Sequence, residues 1–310
     1  MRIYVAGHGG LVGSALVREI EKHPEHSWIG KTRTELNLLD RKSVFDFLAS
    51  EKPDAVILAA AKVGGIMANS SYPVEFLSEN LQIETNLIDG SHAANIEKLL
   101  FLGSSCIYPK LSPQPIKEEY LLTGPLESTN EPYALAKISG LKLVEAYRQQ
   151  HRRKWISAMP TNVYGPRDNF NPDTGHVLPA LIGKFHAAKN LGLTAVEVWG
   201  SGNPKREFLH SYDLASACIF LLENYDDGLH INVGSGFDLS ISELASLIAE
   251  TVGFSGEIRY DPSKPDGTPR KLLDVSRIRG LGWAAALNLK EGIESTYQWY
   301  LQNNDKPMRD

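Results

Sequence analysis

The stretch "VAGHGGLVGSAL", Val5 to Leu16, joins an apolar run directly to a helical pattern. The residues before it predict a buried strand, and the apolar spacing of Leu11, Ala15 and Leu16 predicts a helix. The glycines of the junction recur at every third residue: Gly7, Gly10 and Gly13. Glycines at such a turn let a pyrophosphate approach the backbone N–H groups of the helix start. The stretch predicts a dinucleotide site, and a purely structural turn is the alternative.

Apolar runs and helical patterns alternate through the first half of the chain. The runs are "RIYVAG", "SWIGK", "AVILAA", "KLLFLG" and "WISAMPTNVYGP". Helices are predicted from Leu11, from Asp40, near Phe76–Ala94 and over Tyr133–His151. Alternation of this kind predicts parallel strands with helical crossovers on both faces of the sheet. The predicted fold class is α/β, a Rossmann-type doubly wound parallel sheet.

A smaller C-terminal α/β lobe is predicted because loop residues become frequent from about Pro166. The predicted division gives 1–165 plus about 207–238 to the dinucleotide-binding domain, and about 166–206 plus 239–310 to a substrate-binding lobe. The segments "REFLHSYDLASACIFLL" and "LHINVG" are predicted to return to the first sheet. In the smaller lobe, the "SISE" segment predicts a capping box at a helix start.

Composition and charge argue against several classes of protein. The formal net charge of -5 disfavours a general nucleic-acid or membrane-surface binder. The two cysteines, Cys106 and Cys218, are too few for a disulfide framework and indicate a reducing compartment, with the cytoplasm as the expectation. The N-terminal apolar run is too short for a signal peptide, and no segment is apolar for long enough to cross a bilayer.

The residues after the second predicted strand bear on the choice of dinucleotide. An NAD site would normally place a carboxylate at that strand end, whereas "GKTRTELN" offers Lys31 and Arg33. A pair of cations there favours a ribose 2′-phosphate and hence NADP(H), and two ordinary surface cations are the alternative. Asp40 follows, either to meet the adenine amino group or to cap the next helix.

A tyrosine and a lysine four residues apart, Tyr133 and Lys137, lie on one face of a predicted helix. A cation beside a phenol favours the phenolate, so we expect Lys137 to lower the pKa of Tyr133. Ser104 and Ser105 end the strand "KLLFLG" and are expected to complete a set of groups that binds a carbonyl oxygen. Together these residues predict chemistry at a carbonyl group.

Longer strings carry a resemblance to a known family. They are "GHGGLVGSA", "AAAKVGGI", "LGSSCIYPK", "NEPYALAK", "MPTNVYGP", "VWGSG", "REFLH" and "KPDGTPRKLLD". Over essentially its whole length the chain resembles the GDP-L-fucose synthases of the extended short-chain dehydrogenase/reductase family. The resemblance implies an NADPH-dependent homodimer that converts GDP-4-keto-6-deoxy-D-mannose to GDP-L-fucose, by 3,5-epimerisation and then hydride reduction at carbon 4.

The resemblance also implies a role for each catalytic residue. Inverting the centres beside a ketone requires a base on one face of the ring, an acid on the other and a stabilised enolate oxygen. Cys106 is implied as the base and His176 as the acid. Tyr133 is implied to donate to the carbonyl oxygen, with Lys137 tuning it and holding the ribose and Ser104 positioning it.

The resemblance extends to the residues that bind cofactor and substrate. For NADP(H) it implies Gly7, His8, Gly9, Gly10, Leu11, Val12, Gly13, Arg33, Asp40, Leu102, Gly103, Ser104, Ser105, Lys137, Pro160, Thr161, Asn162, Val163 and His176. For the GDP-sugar it implies Lys184, Trp199, Arg206, Asp266 and Lys271. Their cations suit a diphosphate, and the indole suits a flat base or ribose. No metal site is expected.

Two positions depart from the family, and several have ordinary structural alternatives. Gly9 stands where arginine is frequent, so one cation near the cofactor phosphates is expected to be missing. Lys184 also stands where arginine is frequent, which keeps the charge but loses the bidentate fork. His176 precedes an apolar helix and would cap it on the structural reading, whereas Asp266 would order its own turn. On the same structural reading, the cations implied for GDP would be ordinary surface residues and Trp199 an ordinary core residue. Cys218 is predicted to be a buried apolar residue, and the histidine of "REFLH" a packing or hydrogen-bonding one.

Three other functions stay open at the level of sequence. A nucleotide-sugar 4,6-dehydratase would need an Asp–Glu pair after the serine at the fourth strand end, where "SSCIYP" has no carboxylate. A nucleotide-sugar 4-epimerase does not require the cysteine and histidine pair and usually keeps NAD bound. A non-catalytic NADP-sensing module would have lost the tyrosine or the lysine, and this chain has both.

Overall fold

Six strands pair in parallel to form the central sheet of the computed structural model, which describes residues 1–264 and 266–304. They are β1 (Arg2–Ala6), β2 (Ser27–Ile29), β3 (Ala55–Leu58), β4 (Lys98–Leu102), β5 (Lys154–Pro160) and β9 (Ile231–Val233). Their order across the sheet is β2-β1-β3-β4-β5-β9. The order reverses between β1 and β3, and doubly wound sheets bind their ligands beyond the carboxyl ends of the strands at such a point.

Helices cover both faces of this sheet. They are α1 (Leu11–Ile20), α2 (Arg41–Glu51), α4 (Pro73–Ala93), α5 (Glu131–His151) and α7 (Ser211–Asn224), with a short α3 (Ile66–Ser71) packed on α4. The helices α2, α4 and α5 pack side by side, and α1 packs against α7, so that the sheet lies between two helical layers. Strands β3 and β9 are buried along their whole length, as a doubly covered sheet requires. The predicted α/β doubly wound class is confirmed.

The remaining elements belong to the smaller lobe and its junction with the central sheet. They are β6 (Asn162–Tyr164), α6 (Val177–Asn190), β7 (Ala195–Trp199), β8 (Lys205–His210), β10 (Asp238–Ser240), α8 (Ile241–Val252), β11 (Glu257–Asp261), β12 (Arg270–Lys271), α9 (Ser276–Gly280) and α10 (Leu289–Asn303). Strand β8 lies antiparallel to β10 and parallel to β6 and β12, whereas β7 pairs with β11. Helix α8 begins with the predicted capping box of Ser240 and Glu243.

The structure corrects two predictions about strands. The segment "WISAMPTNVYGP" is two strands, because the chain leaves the central sheet after β5 and β6 pairs with β8 instead. The "REFLH" strand is this same β8, so it does not return to the central sheet. The segment "LHINVG" does return, as β9, and α7 packs on α1 as part of the first domain.

Buried apolar side chains form two clusters, one around the central sheet and one among α6, α8 and β7. Leu273, Ile278 and Trp283 pack in the larger cluster, although the predicted division gave 239–310 to the smaller lobe. They do so because α9 contacts β9 at the edge of the central sheet. Pro265 and the end of that predicted lobe, 305–310, lie outside the described residues. Within the described part of the chain, no helix has the length and apolar character needed to cross a membrane.

Candidate active site

The glycine junction lies at the carboxyl end of β1, where the sheet order reverses. Gly7 has φ +85°, and a Cβ there would lie 2.9 Å from the backbone of Ala60, so the turn needs glycine. A Cβ on Gly13 would collide with the Gly7 carbonyl. Gly10 is the N-cap of α1 and has no side-chain acceptor, so the first N–H groups of that helix can meet an anion. The loop therefore fits the pyrophosphate of a dinucleotide.

A cation reaches this loop from a distant part of the chain. Arg167, in the loop after β6, donates from Nη1 to the Gly9 carbonyl at 3.1 Å, across a separation of 158 positions. The space beside Gly9 is open. The sequence shows no cation at position 9, but the fold brings a guanidinium to the same loop. No local pattern pointed to Arg167, because only the tertiary structure places it there.

Other residues predicted for the cofactor line the same edge of the sheet. Leu102, Gly103, Ser105, Pro160, Thr161, Asn162 and Val163 lie at or just beyond the carboxyl ends of β4 and β5. His8 stacks on Trp28 with 5.8 Å between the ring centroids, beside the glycine loop. Lys31 and Arg33 follow β2, and Arg33 is exposed. Asp40 accepts from the backbone N–H of Lys42 at 3.1 Å as the N-cap of α2, so the structure shows its capping role and its contact with adenine stays a prediction.

Strand β4 and helix α5 bring together the serine, the phenol and the ammonium. Ser104 is the second residue after β4, and its Oγ accepts from the Cys106 backbone N–H at 3.2 Å, which caps a 3₁₀ turn. Tyr133 lies in the first turn of α5, near enough to Ser104 for the serine side chain to lower the phenol pKa, against the larger opposite effect of burial. The Lys137 Nζ lies one helical turn later, 5.9 Å from the centroid of the Tyr133 ring. These groups lie together beyond the end of β4.

The charge of Lys137 is balanced by a residue that the sequence did not indicate. The Oε1 of Glu84, on α4, lies 3.1 Å from the Lys137 Nζ, and each side chain is 3% exposed. Lys137 also donates to the Leu102 carbonyl at 3.0 Å. Burial raises the pKa of Tyr133, and the nearby charges of Cys106 and Glu84 raise it further. The expected lowering of the phenol pKa is therefore wrong in this structure, because burial of the phenol raises its pKa and the charges of Cys106 and Glu84 add to that effect.

Cys106 contacts polar groups and does not belong to the buried apolar clusters. It is half-buried in the 3₁₀ turn, where its Sγ accepts from the Nδ2 of Asn130 at 3.4 Å. The Nζ of Lys271 lies 3.7 Å from the same sulfur atom. Cys218, in contrast, is fully buried in α7 as predicted, and burial raises its pKa. Only the first of the two thiols is placed for chemistry.

His176 is the N-cap residue of α6, but its side chain makes no capping hydrogen bond. The imidazole is exposed at the cleft surface, where desolvation by the surrounding protein and the charge of Lys271 lower its pKa. The loop before it is held by a hydrogen bond from Gly65 N–H to the Thr174 carbonyl at 3.1 Å. Lys271 thus lies within electrostatic reach of both His176 and Cys106.

Of the residues predicted for GDP, Lys184 contacts Trp199 at the end of β7, and Arg206 and Asp266 lie beside the turn that follows. The Nζ atoms of Lys184 and Lys264 lie 4.8 Å and 5.6 Å from centroids of the indole. Arg206, on β8, donates to the Asp266 carbonyl at 3.2 Å, and burial lowers its pKa. An indole flanked by cations can hold a diphosphate and a flat ring. Lys264 was not among the residues that the sequence predicted for GDP.

Two of the polar residues considered at the start have clear structural contacts. The Asp266 carboxylate accepts from the Ser201 N–H at 2.7 Å and from its hydroxyl at 2.8 Å, which orders the turn after β7. Its contact with a sugar hydroxyl stays a prediction. His210 accepts from the Tyr212 N–H at 3.2 Å and caps α7, so its predicted hydrogen-bonding role is confirmed.

Known proteins resemble this chain over nearly its whole length. The model of the NAD dependent epimerase/dehydratase family matches residues 3–234. Putative GDP-L-fucose synthase 2 of Arabidopsis thaliana is 56% identical over 302 residues, which covers 97% of this chain and 92% of the relative. GDP-L-fucose synthase of Escherichia coli (strain K12) is 54% identical over 314 residues, 98% of each chain. The crystal structure of a GDP-L-fucose synthetase from Naegleria fowleri bound to NADP has a TM-score of 0.91 at 28% identity, covering 99% of this chain and 96% of that one.

Proposed function

The chain belongs to the NAD dependent epimerase/dehydratase family, and from that premise we propose that it makes GDP-L-fucose as an NADP(H)-dependent epimerase and reductase. Its relatives at 54% and 56% identity are GDP-L-fucose synthases, and a fucose synthetase of the same fold binds NADP. The substrate is a GDP-sugar, and we take it to be GDP-4-keto-6-deoxy-D-mannose. The observation that carries the proposal is the proximity of the Cys106 thiol to the Tyr133 phenol, close enough for a charge on Cys106 to raise the pKa of the phenol.

Epimerisation needs a base, an acid and a donor to the developing oxyanion. The Cys106 thiolate takes a proton from the carbon beside the ketone, and the electron pair moves onto the carbonyl oxygen. Tyr133 and Ser104 stabilise that oxygen by hydrogen bonds. His176 gives a proton to the opposite face of the same carbon, which inverts the centre. The Cys106 thiol then returns its proton to solvent and His176 regains one, after which the same step inverts the carbon on the other side of the ketone.

Reduction uses the same oxygen-binding groups. When bound, NADPH supplies the hydride for carbon 4. The Tyr133 phenol gives its proton to the alkoxide oxygen that forms, and a raised phenol pKa keeps that proton in place until then. Lys137 is held by Glu84 and by the Leu102 carbonyl at the position where the resemblance places the cofactor ribose. With these roles, one set of side chains performs both the epimerisation and the reduction.

Two features support this function over the alternatives. The stretch Ser104–Pro109 directly beyond β4 contains no carboxylate side chain, so the Asp–Glu pair that a dehydratase requires after the serine is missing there. Tyr133 and Lys137 lie one helical turn apart at the end of β4, which disfavours a sensing module. We further propose that the chain works in a reducing compartment such as the cytoplasm, since both cysteines are free. A homodimer stays a prediction, which sedimentation analysis tests.

The test follows NADPH absorbance after addition of GDP-4-keto-6-deoxy-D-mannose, together with exchange of ring protons in deuterated water. The wild-type protein should consume NADPH and exchange both protons. Tyr133→Phe should lose reduction by about 10²-fold or more, because the phenol supplies the proton, yet it should still exchange. Cys106→Ser should lose exchange as well as net reduction. Full exchange and epimerisation by Cys106→Ser would show that the thiol is not the base.

A further inference from the structure

We propose that Lys271 is a positioning residue of the epimerisation, and that its ammonium holds Cys106 as the thiolate. The family resemblance assigns this lysine to GDP, but the structure places its Nζ 3.7 Å from the Cys106 Sγ. This proposal rests on the proposed function, because that function supplies the sugar ring from which the thiolate takes a proton. The contact between the Lys271 ammonium and the Cys106 sulfur joins two side chains of this chain, so it can be tested without substrate.

The backbone fixes the position of this ammonium. Strand β12 pairs in parallel with β8, with Lys271 opposite Arg206. Neighbouring side chains on a strand point to opposite faces. Arg270 accordingly turns away from the cleft and binds Asp238, with Nε 2.6 Å from the carboxylate. Strand β12 therefore places the Lys271 ammonium beside the thiol and the Arg270 guanidinium in a separate ion pair with Asp238.

The groups that face the Cys106 sulfur favour a negative charge. Asn130, which precedes α5, donates to the sulfur from Nδ2 at 3.4 Å. Arg206, on β8, and Tyr133, on α5, lie within electrostatic range of the thiol. Hydrogen-bond donors and cations beside a thiol favour the thiolate, which is both the nucleophile and the base. Of the two cations near the sulfur, Lys271 is the one whose charged atom contacts it.

Alkylation of the thiol measures this effect directly. The chain has two cysteines, and Cys218 is fully buried, so neutral iodoacetamide reports on Cys106. Lys271→Met should slow alkylation at pH 7 by about tenfold or more and move the pH midpoint of the reaction upward. Lys271→Arg should keep most of the wild-type rate, because it retains the cation. Cys106→Ser gives the background rate.

Arg270→Met is the matched control, because it removes one positive charge from the adjacent position of the same strand. It should leave the alkylation profile as in the wild-type protein. Circular dichroism and thermal unfolding establish that each variant is folded. An unchanged profile in Lys271→Met would overturn the proposal, and so would an equal shift in Arg270→Met.

Kinetics with the GDP-sugar separate this role from simple binding of the diphosphate. If Lys271 holds the thiolate, Lys271→Met should lower kcat for ring-proton exchange and shift its pH profile upward in parallel with alkylation. A rise in KM alone, with an unchanged alkylation profile, would assign the lysine to GDP and overturn the proposal. Failure of the wild-type protein to exchange or reduce the sugar would instead refute the proposed function and leave the alkylation result standing.

Discussion

Glu84 and Lys137 form a buried ion pair next to the catalytic phenol. Both side chains are 3% exposed, and the space beside the Glu84 carboxylate is so tight that a Cβ on Gly140 would lie 2.5 Å from Oε2. Taking two charges out of water is expensive, and their attraction offsets that expense only while both partners are present. The glutamate therefore acts on the tyrosine through the lysine, as well as through its own negative charge.

Glu84→Gln tests this arrangement at the scale of one residue. It leaves the Lys137 ammonium buried without its partner, so we expect the free energy of unfolding to fall by about 3 kcal/mol. Urea denaturation measures the loss. The double variant Glu84→Gln/Lys137→Met removes both charges and should recover much of it, since no unpaired ion is left. Equal stability of the single variant and the wild-type protein would show that the pair contributes nothing.

The loop between β6 and α6 serves the cofactor site from outside the dinucleotide-binding half of the sequence. It contains Arg167, which has φ 69° and reaches the Gly9 carbonyl, and it ends at His176. A sequence without arginine in the glycine loop predicts weak binding of the cofactor phosphates. The structure instead supplies an arginine from the loop after β6, because the Arg167 side chain contacts the glycine loop at Gly9.

Arg167→Ala should weaken NADPH binding by about tenfold, because a guanidinium contributes a charge-assisted contact near the phosphates. Quenching of protein fluorescence measures the dissociation constant without turnover. Adding Gly9→Arg should restore much of the affinity, since the space beside position 9 is open. Arg259→Ala, which removes an exposed arginine on β11, is the control for net charge. Loss of affinity equal to that of the control would contradict the role of Arg167.

At the scale of the whole molecule, local patterns predicted the central domain and tertiary contacts decided the rest. The strand-to-helix junction and the Tyr133–Lys137 spacing depend on neighbours along the chain, so the sequence located both. Glu84 and Arg167 entered the site from elements far away in sequence, and neither lies in a motif. The destination of β8 depended on its pairing with β6, which an apolar run cannot encode, because such runs fit either sheet.

Asp168 links the stability of the whole molecule to pH. The residue is 4% exposed, and burial raises the pKa of its carboxyl from 3.8 to about 7. Between these values the folded protein keeps a proton that the unfolded chain has lost, so stability falls as pH rises from about 4 to about 7 and is level above that. The full difference corresponds to about 4 kcal/mol.

Asp168→Asn removes this dependence, because the amide stays neutral at every pH and its oxygen can still accept from the Asn169 N–H, as the carboxylate does at 2.7 Å. The variant and the wild-type protein should have similar stability near pH 3, where Asp168 is protonated in both the folded and the unfolded state. The variant should then become progressively more stable than the wild type, with most of the gain complete by pH 8. Urea unfolding of the two proteins at matched pH measures the difference. Stability curves that run parallel from pH 4 to pH 8 would contradict the raised pKa of Asp168. The surrounding protein would then have to stabilise its ionised carboxylate.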